Sequence, residues 1–313
     1  PMSQYSRIIL KLNKFITKQT ILTDVGSTKE QALKMVKKLL KKNIYIFEKS
    51  KKNISIIKKL KISCKIINKI ENISVNFDLI ILCTPMSQYS RIILKLNKFI
   101  TKQTILTDVG STKEQASKMV KKLLKKNITW IPSHPIAGSE VSGPKFGNKN
   151  LFKNKWCILI KEKNIKETHL AKLKWFWKKL GSNITLMNSK QHDHIFSITS
   201  HLPHLIAYNL VKTATDFEKE TKYNLIKYSA GGLRDFSRIA ASNEIMWRDI
   251  FFSNQKNIII AIDLFIKNLN SFKKDIDIKN SKKIIKKFIN TKKVRKKIIL
   301  LKQDINKPDF GRS

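Results

Sequence analysis

Histidine side chains gather in two short motifs of this 313-residue sequence, and they are the first candidates for chemistry. His134 stands in the segment SHPIAGSE, residues 133–140, directly after a predicted strand. Open α/β sheets place their reacting groups at that end of a strand, and an imidazole can accept a proton near neutral pH. The second motif, QHDHIFSITSHLPHLIA, contains His192, His194, His201 and His204.

His201 and His204 are three residues apart in a predicted helix and therefore share one of its faces. Three interpretations of this pair stay open: packing or capping, polar contact with a substrate, and metal binding. The sequence offers no clear third ligand near them, so it predicts no metal site.

Arginine is rare in this chain, since only seven of its 64 basic residues are arginine, yet three of the seven lie within residues 231–249. Arg234 and Arg238 are four apart and fall on one helical face. A planar guanidinium binds a carboxylate or phosphate through paired hydrogen bonds, which indicates a substrate contact. Ion pairs within the protein are the alternative. Trp247, in the same segment, is interpreted as a core residue or a pocket wall.

The nine glycines of the chain do not form the GxGxxG motif of dinucleotide-binding proteins. In that motif the glycines let the backbone approach the pyrophosphate at a helix N-terminus. The acidic half of the signature is present in residues 44–48, IYIFE, a predicted strand that ends in an acid. A carboxylate there binds the ribose hydroxyls of NAD and repels the extra phosphate of NADP. Glu48 is therefore a candidate cofactor residue, with an exposed loop charge as the alternative.

Residues 1–43 (copy one) and 85–127 (copy two) are nearly the same sequence. Of the 43 positions 42 are identical, and the exception is Leu33 against Ser117. A segment that occurs only twice, 84 residues apart, is unlike a solenoid repeat. It indicates a recent duplication or a spliced or misassembled gene.

Each copy contains the pattern of a strand, a Gly-Ser-Thr turn and a helix. In copy two the predicted strand is 105–109 and the predicted helix is 113–126, with its apolar positions at helical spacing. Ser111 and Glu114 have the spacing of a capping box at the start of that helix.

Strand and helix patterns alternate through the first part of the chain, which predicts a doubly wound, mostly parallel sheet. The predicted strands are 21–25, 44–47, 79–83, 105–109, 129–132, 156–160 and 184–187. The predicted helices between them are 29–42, 52–60, 88–100, 113–126 and 166–180. Later segments have only helical periodicity: 190–211, 215–228, 244–269 and 281–302. The sequence predicts a Rossmann-like α/β domain at 1–188 and an all-α domain at 189–313.

The chain has a formal net charge of +42. Lysine, isoleucine and asparagine are abundant throughout, which a biased genome explains more simply than a nucleic-acid-binding role. Hydrophobic residues make up 42% of the chain, enough for real cores, and no apolar run reaches the ~18 residues of a membrane span. The very apolar stretch 258–266 indicates a helix buried in a bundle or a dimer interface. Three cysteines without CxxC spacing, and no signal peptide at the first residues, predict a cytoplasmic protein.

Four segments together resemble the prephenate/arogenate (cyclohexadienyl) dehydrogenase family, most of all its alphaproteobacterial type. They are SHPIAGSEVSGPKFGNKNLFKNKWCIL, HDHIFSITSHLPHLIAY, SAGGLRDFSRIAASNEIMWRDIF and the terminal PDFGR. The resemblance implies an NAD(P)-binding Rossmann domain, an all-helical dimerisation domain and an active site in the cleft between them. The implied reaction is the oxidative decarboxylation of prephenate, arogenate or both in tyrosine biosynthesis.

The resemblance also implies roles for individual residues. His134 is the implied acceptor of the substrate's hydroxyl proton, and Ser111 would bond to His134 or to that hydroxyl. Arg238 is implied to bind a substrate carboxylate, with Arg234 as a weaker candidate. The other implied substrate residues, which orient the ring, gate the site or close it, are Ser200, His201, His204, Glu140, Asp193 and Trp247. The candidate NAD-binding residues are Gly26, Ser27, Glu48, Thr84, Pro85 and Gly110.

Copy one stands where this family has its first strand and glycine loop. We expect copy one to fill the first-strand position of the sheet, with Gly26 as the single glycine of its turn. Asp24 brings a negative charge near the expected pyrophosphate position, so we expect reduced affinity for NAD. A folded, dimeric relative that no longer binds NAD is the alternative interpretation, and a nucleic-acid-binding protein is a third.

Overall fold

The computed structural model describes residues 19–23, 43–60, 64–67, 69–73, 76–138 and 150–301. Three candidate site residues lie outside these ranges: Gly26, Ser27 and Glu140. The predicted helix 29–42 and the terminal PDFGR segment also lie outside them. By its packing the chain divides into two units, Pro1–Ile258 and Ile259–Ser313.

A parallel sheet of six strands, in the order β3-β2-β1-β4-β5-β6, runs through the described part of the first unit. Its strands are β1 (Gln19–Thr23), β2 (Asn43–Phe47), β3 (Lys65–Ile67), β4 (Leu79–Leu82), β5 (Ile105–Asp108) and β6 (Thr129–Trp130). This is the strand order of dinucleotide-binding folds. Strands such as β4, LIIL, are apolar throughout because both faces of the sheet are covered. The Rossmann-like fold predicted from the sequence is confirmed.

Copy one supplies β1, which lies between β2 and β4. The equivalent residues of copy two, 103–107, contribute to β5 on the other side of β4. Leu79 of β4 is opposite Thr20 in β1, but it is opposite Ile105 in β5. Because Ile105 corresponds to Ile21 of copy one, the two copies meet β4 in registers that differ by one residue.

Three further strands form a second sheet, β7 (Ser133–Pro135), β8 (Trp156–Ile160) and β9 (Asn183–Met187). β7 is antiparallel to β8, with His134 opposite Ile158, and β8 is parallel to β9. The prediction of one strand at 129–132, with His134 after its end, is wrong because the chain changes sheets between Trp130 and Ser133. His134 therefore lies inside a strand, and its backbone position is fixed by β8.

Helices cover the two faces of the first sheet: α1 (Lys51–Lys59), α2 (Tyr89–Leu96), α3 (Glu114–Leu123) and α4 (Glu167–Lys179). Alternate residues of β2 and β4 enter two separate apolar clusters. Ile44 and Leu79 pack with α1 and α4, whereas Tyr45 and Ile80 pack with α2 and α3. Gly181 follows α4 at a φ of +94°, a conformation that favours glycine.

The described chain after Met187 is helical: α5 (Ser189–Phe196), a π-helical turn (Ser197–His201), α6 (Leu202–Thr221), α7 (Gly231–Ala240), α8 (Glu244–Ser253), α9 (Gln255–Asp277) and α10 (Ser281–Leu300). The helical periodicity of 190–211 agrees with the structure, in which α5, the π-helical turn and α6 follow one another without a gap. The prediction of one helix at 244–269 is wrong. Helix α8 ends at Ser253 and α9 begins at Gln255. Asn254 lies between the two helices, and its side-chain amide donates to the Asp193 carbonyl in the first unit. The domain boundary near 188 stays a prediction.

The second unit contains most of α9 and all of α10. Lys287 of α10 lies 2.7 Å from Asp275 of α9, and its ammonium stands 4.5 Å from the ring centre of Phe272. Large apolar side chains on α9 are exposed, including Ile260 at 57% and Leu264 at 50%. Within the residues described here, every helix is too short or too polar to cross a bilayer.

Candidate active site

Two imidazoles and a carboxylate form a continuous chain of hydrogen bonds beside β7. Nδ1 of His134 lies 2.8 Å from Nε2 of His192. Nδ1 of His192 lies 2.8 Å from Oδ1 of Asp193. His192 and Asp193 are buried, while His134 is half-buried. Of these three hydrogen-bonded side chains, His134 is therefore the one that a ligand can reach.

Helix α5 positions the inner members of this hydrogen-bonded chain. The side chain of Asn188 caps the helix by accepting a hydrogen bond from the Gln191 amide at 2.7 Å. Phe196, four residues after His192, shares its helical face. The Phe196 ring centre lies 4.5 Å from that of His192 and 4.9 Å from that of His134. Both imidazoles are thus held against one aromatic ring.

The carboxylate of Asp193 also binds the N-terminus of α3. Its Oδ1 accepts from the Lys113 amide and its Oδ2 from the Glu114 amide, each at 2.8 Å. A negative charge is favoured there by the helix dipole. The capping box predicted from Ser111 and Glu114 is wrong, because α3 begins at Glu114 and its N-cap residue makes no side-chain capping bond. A carboxylate 80 residues away in sequence satisfies the helix instead.

A buried ion pair connects the end of β5 to the start of β7. Lys113 Nζ lies 2.7 Å from Asp108 Oδ2 and donates to the Ser133 carbonyl at 2.8 Å. Neither side chain of the pair is exposed. The Tyr89 hydroxyl donates to Oδ2 at 3.0 Å, and the Ser133 amide donates to Oδ1 at 3.1 Å. A buried pair with its other donors and acceptors satisfied in this way can hold a fixed geometry.

Burial keeps the imidazoles of this cluster neutral. It lowers the pKa of His134 well below the usual value, and His192, Lys113 and His201 lower it further. Burial also lowers the pKa of His192, against the opposing effect of Asp193. The pKa of His201 falls to about 4, mainly through burial. At neutral pH, His134 is therefore in the form that can accept a proton.

His201 lies at the end of the π-helical turn, a distortion that often occurs at functional sites. Its Nδ1 lies 3.1 Å from the side-chain amide of Asn254, which also donates to the Asp193 carbonyl at 2.8 Å. Its Nε2 makes no hydrogen bond of normal geometry with the described residues. The Ser111 backbone nevertheless raises the pKa of His201, against the larger effect of burial.

His204 stacks on Trp247, with 3.8 Å between ring centres and 23° between ring planes. Nδ1 of His204 lies 2.9 Å from the Ser200 carbonyl, so that nitrogen carries a hydrogen in the neutral ring. Trp247 is buried, and its ring also meets His201 edge-on at 6.2 Å. The structure thus brings together two histidines and the tryptophan that the sequence analysis singled out.

Comparison with known proteins identifies the family. The model of the prephenate dehydrogenase nucleotide-binding domain matches residues 39–186, and the model of its dimerization domain matches residues 188–297. The chain belongs to the prephenate dehydrogenase family.

Individual prephenate dehydrogenase relatives agree with this assignment. The cyclohexadienyl dehydrogenase of Zymomonas mobilis, an alphaproteobacterium, is 33% identical over 70% of this chain and 74% of its own length. The Bacillus subtilis prephenate dehydrogenase is 30% identical over 69% of this chain, which spans 58% of that protein. The Aquifex aeolicus prephenate dehydrogenase, solved with hydroxyphenyl propionate and NAD+, has a TM-score of 0.84 and 30% identity. The match covers 90% of this chain and 98% of the Aquifex chain.

The cofactor edge that the prephenate dehydrogenase family implies lies at the carboxyl ends of the first sheet. Glu48 follows β2 and is buried, accepting from the Ser50 amide at 2.7 Å and the Asn53 side chain at 3.1 Å. The alternative of an exposed loop charge is therefore wrong. After β4, the buried hydroxyl of Thr84 has no partner among the described residues, and Pro85 is exposed. A carboxylate and an unpaired hydroxyl at this edge fit a dinucleotide.

Gly110, in the turn after β5, has a packing role in this family member. A Cβ atom there would lie 2.9 Å from both Asp108 Oδ2 and the Tyr89 hydroxyl. Its amide donates to the same Asp108 oxygen at 3.1 Å. Ser111 follows in this turn and is half-buried. Nδ1 of His134 is bonded to His192, so only Nε2 of His134 is available to Ser111, and the Ser111–His134 bond stays a prediction.

The predicted arginines of the prephenate dehydrogenase site lie on α7. Arg234 and Arg238 both have exposed side chains. The Tyr208 hydroxyl of α6 donates to the Ser242 carbonyl just after α7, at 2.9 Å, and so attaches the end of that helix to α6.

Three residues of this cluster were not singled out from the sequence: Asp108, Lys113 and Asn254. His192 was named in its motif but was given no role. The HDH triplet was a signal for His192, because a histidine beside an acid is a recurring arrangement in proton transfer. Lys113 and Asp108 occur in TDVGSTK, which both copies contain, so the sequence could not show which copy contributes the ion pair.

Proposed function

We propose that this chain is an NAD-dependent dehydrogenase that oxidatively decarboxylates prephenate, arogenate or both, in the cytoplasmic synthesis of tyrosine. The proposal depends above all on His134, a half-buried imidazole held neutral within a nucleotide-binding fold of this family. The names of the Zymomonas and Bacillus relatives support the substrate class. A cytoplasmic location agrees with three cysteines that form no disulfide, all within the described residues.

The carboxyl edge of the first sheet is the proposed NAD site. Glu48 would hold the ribose hydroxyls, and Thr84 and Pro85 would line the same edge. Gly110 belongs to the neighbouring turn, while Gly26 and Ser27 of copy one lie outside the described residues. When bound there, NAD supplies the acceptor for the hydride that leaves the ring carbon bearing the hydroxyl.

The proton chemistry belongs to His134. Its neutral imidazole accepts the hydroxyl proton as the ring carbonyl forms. The ketone then takes up the electron pair released when the ring carboxylate leaves as carbon dioxide, and aromatisation drives that loss. The phenolate formed in this way takes back the proton, which restores the neutral imidazole.

Substrate positioning is assigned to the residues around this imidazole. Arg238 would bind a substrate carboxylate through its planar guanidinium, with Arg234 as the weaker candidate. Ser111 would bond to the substrate hydroxyl. The proposed residues that orient the substrate, close the site or gate it are Ser200, His201, His204, Trp247, Asp193 and Glu140.

We propose that the active form is a homodimer, as the match to a dimerization domain supports. The exposed apolar side chains of α9 and α10, such as Ile260, Leu264 and Phe288, are a surface that association would remove from water.

We propose that NAD binds weakly, because copy one replaces the glycine loop of this family. It supplies the central strand β1, and the sequence that follows this strand contains Gly26 as its only glycine and Asp24 as an extra negative charge. A chain that has lost NAD binding altogether is the second candidate.

The test of the proposed function replaces His134 with Gln. We expect kcat for NADH formation from prephenate or arogenate to fall by about 10²–10⁴-fold, the usual contribution of a positioned base. Affinities for NAD and substrate, measured by calorimetry, should change little. His169→Gln is the matched control, because His169 lies on α4 and bonds to Thr129.

The outcomes separate the candidates. Wild-type turnover by His134→Gln would show that another group is the base. If the wild-type chain binds no NAD and forms no NADH from either substrate, it is the non-catalytic relative.

A further inference from the structure

The hydrogen-bonded chain from Asp193 to His134 has a direction. The Asp193 carboxylate accepts two backbone N–H groups at the start of α3, an environment that stabilises the anion. An ionised carboxylate has no hydrogen to donate. In its 2.8 Å contact with Nδ1 of His192, the imidazole must therefore be the donor, so Nδ1 of His192 carries the hydrogen.

The placement of that hydrogen determines the next one. A neutral imidazole has one N–H, so Nε2 of His192 has a lone pair and can only accept. Its partner at 2.8 Å is Nδ1 of His134, which must then carry a hydrogen. The single hydrogen of neutral His134 is used in this contact, and its Nε2 has the free lone pair.

We propose that His192 and Asp193 are positioning residues that hold His134 in the tautomer whose Nε2 accepts the substrate's proton. This inference rests on the proposed function, because only a proton acceptor needs that tautomer. In the opposite tautomer, Nε2 would carry a hydrogen and could only donate to the substrate hydroxyl.

The surroundings fix the ring positions as well as the hydrogens. Phe196 packs against both imidazoles, and β8 pairs with the backbone of His134. The Asp193 carboxylate bonds both to the N-terminus of α3 and to His192. It therefore links the position of the turn before α3 to the position of the proton acceptor. The other charged or titratable groups near His134 are Lys113, with its partner Asp108, and His201.

Nitrogen NMR of the full chain with ¹⁵N-labelled histidine tests the tautomer directly. Long-range ¹H–¹⁵N spectra near pH 7.5 distinguish a ring nitrogen that carries hydrogen from one that does not. The His134→Gln variant identifies the His134 signals by their loss. We expect Nδ1 of His134 to be the protonated nitrogen and Nε2 the bare one.

Two variants at position 192 link the tautomer to the rate. His192→Phe keeps a flat ring next to Phe196 but removes the acceptor. We expect a mixture of His134 tautomers and a fall in kcat of at least about tenfold, part of the contribution of a positioned base. His192→Gln places an amide oxygen near the position of Nε2, and we expect it to retain more of the wild-type tautomer and of kcat. NAD affinity should be the same in both.

A purely structural His192 would give a different result. His192→Phe would then lower the free energy of unfolding and leave the His134 tautomer and kcat unchanged, which would overturn the proposal. A bare Nδ1 in wild-type His134 would overturn it equally. The wild-type spectrum needs no turnover, and a variant is used only to assign the His134 signals, so the spectrum decides the tautomer even if the proposed reaction proves wrong.

Discussion

Individual histidines in the first unit are neutral because they are buried, and this has a consequence for stability. Burial lowers the pKa values of His134, His192 and His201, since a charged ring would lose its hydration. In the unfolded chain these groups return to a pKa near 6.5. Between the two values the unfolded chain binds more protons than the folded one, so acid favours unfolding.

His201 allows this effect to be measured. Its pKa is about 4 in the folded protein, so its contribution to stability is complete above pH 6.5 and is lost as pH falls from 6.5 to about 4. The loss is about 3 kcal/mol for this one residue. We expect urea unfolding to show a smaller difference between pH 7 and pH 4 in His201→Gln than in the wild type. Equal pH dependence in the two proteins would contradict this assignment.

The residue types of the site were predictable, but several of their contacts were not. His134 stood out because it lies in a short motif near the end of a predicted strand. The link from His134 to His192 depends on how β7 and α5 meet, 58 residues apart in sequence. Asp193 was expected only to gate or support the site, and its capping of α3 could not be seen in the sequence around that helix.

At the scale of elements, copy one and copy two show how a strand's position is decided. Residues 19–23 and 103–107 are identical, yet they occupy different positions in the sheet and differ in register on β4 by one residue. Local sequence predicted a strand in both places. The position came from the neighbours: β2 and β4 flank β1, whereas β4 and β6 flank β5. A propensity-based prediction contains no such information.

A proline in β1 tests whether copy one is part of the sheet. Leu22 pairs with Ile46 on one side and Ile81 on the other, so Leu22→Pro removes a ladder hydrogen bond at the centre of the sheet. We expect the free energy of unfolding to fall by about 2 kcal/mol or more, because a buried carbonyl loses its donor. Leu22→Val is the conservative control. Leu106→Pro, at the corresponding position of β5, shows how much a proline in a sheet strand lowers the free energy of unfolding of this protein.

Chemical denaturation with circular dichroism measures all three variants. If Leu22→Pro unfolds like the wild type while Leu106→Pro is destabilised, copy one does not form the central strand.

At the scale of the whole molecule, charge and apolar surface act against each other. Each chain has a formal charge of +42, so two copies repel each other at low ionic strength. The exposed apolar side chains of α9 and α10 favour association, because burying them removes apolar surface from water. The proposed homodimer should therefore become tighter as salt screens the repulsion.

Sedimentation equilibrium can separate the charge repulsion from the apolar attraction between two copies. From about 0.1 M to about 1 M NaCl the screening length falls from ~10 Å to ~3 Å, and we expect the dimer dissociation constant to fall with it. Ile260→Lys places a charge on the exposed apolar surface of α9, and it should weaken the dimer by about tenfold or more at every salt concentration. Gln103→Lys adds the same charge at an exposed position before β5, and it should change the dissociation constant only at low salt. Equal weakening by both variants would mean that the charge alone matters and that α9 is not the interface.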